Sequence, residues 1–326
     1  MMSAVLSNPN HPKYGVATIP FPIPRDQYTY CMDLLEALEI GDAVKADCQV
    51  EKIDSFYTVL KRTEMLTVNV EELNYLAKRL DSFDTGEAAQ FQAMAHKLEL
   101  FELKDLINLT FCCQQATVIT DFSDLAAIGR DHYMNLHGGS ASVDELSTLD
   151  GKGTARQLIE NGGGTITPYG VVYDNGMRLE QIYDGRFFPC YYYEPNAITI
   201  AVISKAEPED TNHITWLFLP MVQEEIDRAL LRGGITDSED VRLRLEDSQL
   251  PMRWMSCWIW STKTSPTSTN WQRQRMGYQK RIWKSWALWS CWQSRSLRHR
   301  SKTLWKASTS LTSPPVRIRR RNTAST

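Results

Sequence analysis

The stretch "DGKGTARQ", beginning at Asp150, is the nearest approach in this chain to a phosphate loop. A Walker loop needs Gly-Lys followed by Ser or Thr, with another Gly five residues ahead, so that backbone N–H groups cradle the phosphates. Here Gly153 follows Lys152, and position 146 is Leu. Gly162, Gly163 and Gly164 follow a helical stretch and precede "TIT". That reverses the strand–GxGxxG–helix order of a dinucleotide site, and a helix stop with a tight turn accounts for them. His11, His96, His132, His137, His213 and His299 form neither HExxH nor any other ligand spacing. Asp131-His132-Tyr133 reads as a part-buried or surface histidine, and Cys112 and Cys113, beside Phe111 on an apolar helix, read as buried thiols. No serine sits in GxSxG. The expectation is a chain without catalytic residues, cofactor or metal.

Charge carries the remaining signal. The chain holds 36 Lys+Arg and 39 Asp+Glu, but residues 251–326 hold 16 of the bases, none of the acids and nine of the ten tryptophans. Residues 1–250 therefore carry 20 bases against 39 acids, a net charge of −19. The acids are spread in clusters: Asp81, Asp84 and Glu87; Glu99, Glu102 and Asp105; Asp121 and Asp124; Glu207, Glu209 and Asp210; Glu224, Glu225 and Asp227; then Glu239, Asp240, Glu246 and Asp247. One reading is solvated faces that keep the protein soluble. The sharper reading is a surface that imitates duplex phosphates, which lie at one charge per ~1.7 Å of helix axis.

The basic end has three competing readings: an arm for nucleic acid, a membrane-surface segment, or a shifted reading frame. The genetic code tests the third. Read two bases downstream, any residue followed by Trp becomes Leu, Met or Val, and Asn270-Trp271-Gln272 is forced to Leu-Ala. Permissible codons turn "TSPTSTNWQRQ" into "IPDLNELAEA", an amphipathic pattern with acids restored. The frameshift near residue 250 is the favoured reading, with 251–326 as a disordered tail.

These carboxylates need elements to hold them. "GVATIPFPI" reads as a strand entering a Pro-rich turn, and Asp26 opens a helix through Glu39 with Tyr30, Leu34, Leu35 and Leu38 on one face. "DCQVEKID" reads as a strand. Asn69 and Glu72 suggest a capping box ahead of Leu73, Leu76, Ala77 and Leu80; Thr85 starts a second helix, "ELKDLINLTFCC" a third, and Ser142 with Glu145 a short fourth. "TARQLIENGGG" ends another helix on glycines, and strands joined by "DNG" follow, continuing through 186–206. "PFPIPRDQYTYCMDLLEALEIGD" (Pro20 to Asp42) resembles "LFLPMVQEEIDRALLRGGITD" (Leu217 to Asp237), which suggests an internal repeat.

The predicted class is α+β, several small modules with two related units in tandem, the second truncated. The expected boundaries are 1–13, a disordered N-terminus; 14–68, a first α/β module; 69–140, helical; 141–206, a small α+β module closing the first unit; 207–250, the start of the second; and 251–326, the tail. The N-terminus carries neither a charged n-region nor a long apolar run, the mark of no signal peptide, and no window reaches the ~18 apolar residues of a spanning helix. Seven cysteines without a CxxC pair fit a reducing cytosol.

The run from Val68 to Met134, "VNVEELNYLAKRLDSF…GRDHYM", resembles ArdA-type antirestriction proteins of conjugative elements in Firmicutes, as do Phe21-Pro22-Ile23, Leu73-Asn74 and "GTARQLIENGGGTITPYGVVYD". Gly153-Thr154-Ala155-Arg156 only approximates the family's "YGR" helix. The likeness covers about residues 15–250. It implies an elongated, dimeric DNA mimic that occupies the DNA site of type I restriction–modification enzymes, with no direct nucleic-acid or membrane partner. The family's dimerising module is the one whose second copy is lost here. The alternative is a non-catalytic interaction or regulatory protein of a mobile element, acidic for solubility only.

Overall fold

The structure is a computed structural model, and it describes residues 2–208, 210–237 and 240–249. The expectations for Glu209, for Glu239 and for the tail 251–326 lie outside the described residues. The described chain is α+β, with antiparallel sheets and helices in alternation.

The first sheet has the order β2-β1-β3-β4, from β1 (Met2–Ser7), β2 (Val16–Phe21), β3 (Cys48–Asp54) and β4 (Thr67–Val68). The N-terminus expected to be disordered is thus a strand, with β2 on one side and β3 on the other. The reason is a period-two pattern of small residues: Ala4 and Leu6 are fully buried on one face, opposite Ile19 and Ile53. Helix α1 (Tyr28–Ala37) buries Tyr28, Cys31, Met32 and Leu35. Tyr30, expected on the inner face, is exposed, because the buried stripe begins two residues earlier.

The helical core follows. Helix α2 (Val70–Asp81) buries Leu73, Leu76, Ala77 and Leu80 as its spacing predicts. Asn69 caps it by accepting from the N–H groups of Glu71 and Glu72, but Glu72 does not close a capping box. Helix α3 (Thr85–Lys97) is capped by Asp84, not Thr85, in a full capping box with Glu87. Helix α4 (Leu103–Leu109) completes this layer, and Cys112 and Cys113 are buried beyond it.

Strands β5 (Thr117–Ile119), β6 (Thr165–Thr167) and β7 (Gly170–Tyr173) make a second sheet in the order β5-β7-β6. Helices α5 (Leu125–Leu136), α6 (Val143–Thr148) and α7 (Gly151–Asn161) lie between β5 and β6 in sequence, and Ser142 with Glu145 forms the expected capping box at α6. A sheet shared between 117–119 and 165–173 means that the boundary expected at 140 cuts through one sheet.

Residues 174–197, which the sequence predicts as strands, form an irregular strap. Side chains fix it to α2. Tyr183 is fully buried, Phe188 stacks on Tyr75 at 4.6 Å and on Tyr183 at 5.1 Å, and Tyr75 Oη donates to the Pro189 carbonyl.

The last sheet has the order β10-β8-β9, from β8 (Ile198–Ser204), β9 (Thr215–Leu219) and β10 (Val241–Ser248), with helix α8 (Gln223–Arg232) between β9 and β10. This repeats the arrangement of β1, β2, α1 and β3: the leading strand is central, the next lies antiparallel on one side, a helix follows, and the third strand lies antiparallel on the other. Phe21-Pro22 and Leu219-Pro220 are both cis. Strand β8, expected to close the first unit, is the central strand of this sheet, so the module begins at Ile198 rather than at 207.

Candidate functional site

Four of the clustered acids, Asp84, Glu87, Asp121 and Asp124, are held by local backbone N–H groups. Asp81, Asp84 and Glu87 meet at the corner between α2 and α3. Asp84 Oδ1 accepts from the Glu87 N–H at 2.8 Å, and Glu87 Oε2 accepts from the Asp84 N–H at 3.1 Å. Tyr193 Oη donates to Asp81 Oδ2 at 2.7 Å. Burial first, and then the nearby Asp81 and Glu87 carboxylates, push the Tyr57 phenol up to about 12. The corner is therefore a genuine concentration of negative charge, with Asp81 and Asp84 exposed and Glu87 half-buried.

Glu99 and Glu102 are exposed in the turn between α3 and α4, and Asp105 is half-buried in the first turn of α4. Asp121 and Asp124 are exposed ahead of α5. Asp121 accepts from the Ser123 hydroxyl, which holds its carboxyl below the usual range, and Asp124 caps α5 through the Ala127 N–H. In the turn between β8 and β9, Asp210 is exposed, while the half-buried Glu207 lies 3.3 Å from His213 Nδ1.

The α8 carboxylates diverge. Asp227 is exposed and accepts from Gln223 Nε2 at 2.7 Å. Glu225 is expected at the acidic surface but points inward: its side chain is largely buried, 3.8 Å from Lys78 Nζ, and burial raises its carboxyl above the ordinary range. The cause is the amphipathic period, since Glu225 precedes the buried Ile226 and its neighbour on α2 is a base. Glu224 faces α1. Burial raises its carboxyl as well, the Thr29 hydroxyl works against that shift, and Asp33 and Glu36 add to it.

Asp33 and Glu36 thus extend an acidic face across α1 and α8 that the sequence reading missed. Both are exposed. Their i, i+3 spacing on one helix was a usable signal; only the contact with α8 shows that a third carboxylate joins them.

Ion pairs join α2 to α8, and a tyrosine hydrogen bond ties α1 to the same carboxylate. Glu71 accepts from Arg228 Nε at 2.6 Å and from Tyr28 Oη at 3.1 Å. Arg232 is only 4% exposed, and it donates to the carbonyls of Ala43, Gly185 and Arg186, to Asn69 Oδ1 and to the Tyr183 hydroxyl. His132 Nδ1 contacts the Thr117 hydroxyl at 3.0 Å, and burial lowers its pKa. Among the described residues, no helix is long and apolar enough to cross a membrane.

The chain matches no protein-family model, and no curated protein matches it.

Proposed function

We propose that this chain is an acidic interaction protein that imitates the phosphate array of duplex DNA. In that role it fills the DNA channel of a type I restriction–modification enzyme in the bacterial cytoplasm, as the likeness to ArdA-type antirestriction proteins implies. One observation carries this reading: a net charge of −19 over residues 1–250, part of it on carboxylates fixed by caps and turns. Rigid placement matters because a mimic must present its charges without losing side-chain entropy on binding. The same surface steers toward a basic channel over long range and releases counterions from it.

The order common to the two flanking sheets supports the tandem-unit part of the proposal. Asp54 and Asp247 take equivalent places in it, each the partner of the second residue of the central strand, Ser3 or Thr199. Leu73 lies 19 residues past Asp54, and "LNELA" in the shifted frame falls about 20 residues past Asp247. That coincidence is what a frameshift inside a second unit produces.

The test is competition between this chain and labelled duplex for a type I methyltransferase core, at two salt concentrations. A second arm uses the chain with its end re-read in the shifted frame. Displacement that falls steeply with salt supports mimicry. Failure of both proteins to displace DNA at low salt leaves the charge as a solubility feature of a non-catalytic interaction protein.

A further inference from the structure

A cavity of about 160 Å³ lies between α2, the 174–197 strap and the α8–β9 pair. Its walls are aromatic, with Tyr75, Phe187, Phe188, Tyr191 and Trp216 among the lining residues. An apolar cavity of roughly 150 Å³ holds a single benzene ring, so the space suits one flat six-membered ring.

The lining is also more basic than the unit around it. Five cationic side chains line it against three carboxylates, although residues 1–250 carry 39 acids and 20 bases. Four of these cations are paired: Arg25 with Glu194 at 2.6 Å, Arg228 with Glu71 at 2.6 Å, Arg232 with Glu72 at 3.4 Å, and Lys78 with Glu225 at 3.8 Å. Arg186 has no carboxylate partner among the described residues; its Nε donates to the Arg232 carbonyl and its guanidinium lies over the Phe187 ring. The Lys78–Glu225 pair is the loosest, and burial disfavours the Glu225 charge.

One buried donor in this lining goes unused. Arg228 Nη2 is buried without a hydrogen-bond partner. Asn74, also in the lining, is 5% exposed, and its Oδ1 accepts from the Ile23 N–H at 2.9 Å. Buried donors without acceptors cost stability, so they mark where an acceptor-bearing ligand gains most.

We propose that this cavity binds a small aromatic monoanion, a single flat ring bearing one carboxylate. The ring sits among the aromatic walls, and the carboxylate supplies the acceptor that Arg228 Nη2 lacks and balances the charge of Arg186. Because strap, α2 and α8 each form a wall, an occupied cavity ties the last module more firmly to the helical core.

The experiment titrates the full chain with 4-fluorobenzoate, 4-fluorobenzyl alcohol and 4-fluorobenzylamine, followed by fluorine NMR. Benzoate is expected to bind saturably, the neutral alcohol roughly tenfold or more weakly, and the amine not at all, since the charged hydrogen bond is what separates them. Ala229→Phe, which fills the cavity from α8 while removing no polar group, is expected to abolish benzoate binding with the circular dichroism unchanged. Arg228→Gln is expected to weaken it. No saturable benzoate binding, equal binding of the amine, or a folded Ala229→Phe that binds benzoate as before each overturns the proposal. The three-ligand comparison on the unsubstituted chain decides the matter even where a variant does not fold.

Discussion

Arg232 Nη1 donates to Asn69 Oδ1 at 3.0 Å, and that same oxygen accepts the backbone N–H groups of Glu71 and Glu72. The cap of α2 is therefore also the socket for a side chain on α8. Asn69 uses its other end too, donating to the carbonyls of Asp42 and Lys45. One buried amide thus joins the first sheet's loop, the helical core and the last module.

Arg232→Ala should cost about 3 kcal/mol or more, because it strands several buried acceptors at once. Arg232→Lys should recover little, since an ammonium cannot present the planar fork that reaches Ala43, Gly185 and Tyr183 together. Denaturant unfolding of the two variants measures this. Full rescue by lysine would show that charge alone, not the fork, holds the module.

A Cβ added at Gly129 would lie 1.8 Å from the Gly151 carbonyl oxygen, and one at Gly151 would lie 2.6 Å from the Ala126 carbonyl oxygen. Helices α5 and α7 cross where neither carries a side chain, and backbone cannot swing aside as a side chain can. Gly129→Ala should cost upward of about 2 kcal/mol. Hydrogen exchange should show lost protection in residues 125–161 with α2 to α4 retained. Uniform loss across the chain would mean that this helix pair is not a separate unit of stability.

The fold was legible where period and caps agree. Residues Leu73 to Leu80 and the Ser142–Glu145 box needed no tertiary information. Strands β1 and β8, each flanked by two antiparallel partners, are the hardest to place from sequence. "MSAVLS" is small and polar enough to pass for a loose terminus, and "ITIAVIS" is apolar on both faces and carries no sign of its partner. The strap reads as strand in sequence because its tyrosines and phenylalanines have strand propensity, but they pack on α2. At the surface, composition shows how many carboxylates there are but not which way they face. Glu225 and Asp227 differ by two positions and point to opposite environments.

Lys97 Nζ donates to Asp174 Oδ2 at 2.6 Å, tying α3 to the turn after β7, and this bond holds the Asp174 carboxyl below its ordinary value. A depressed carboxylate adds stability that is present above its unfolded pKa, near ~3.9, and is lost as pH falls through the lower folded value. Asp174→Asn should therefore be less stable than the parent at neutral pH, by under about 1 kcal/mol because the carboxylate is half-exposed. The gap should close below about pH 3. A gap that is constant from neutral to acid would assign the effect to the turn hydrogen bond with Gly176 rather than to the charge.

The mimicry reading is tested most cleanly on carboxylates with no structural duty. Asp84 and Glu87 are poor choices, because removing their capping box costs about 1 kcal/mol of helix stability whatever the partner does. Asp124 caps α5 and has the same fault. Asp33, Glu36, Glu99 and Glu102 are exposed and make none of the side-chain hydrogen bonds that hold those caps. Changing all four to their amides keeps shape and removes four negative charges from α1 and from the turn between α3 and α4. Any one change should do little, since an exposed charge contributes only about 0.2–1 kcal/mol. Together they should weaken displacement of duplex from the methyltransferase core at low salt and flatten its salt dependence, because fewer counterions are released from the partner. Thermal unfolding of the quadruple variant should match or exceed the parent, since relieving self-repulsion in so acidic a unit offsets any lost contact. A quadruple variant that is equally folded and displaces DNA as well as the parent at both salt concentrations would remove these two faces from the binding surface.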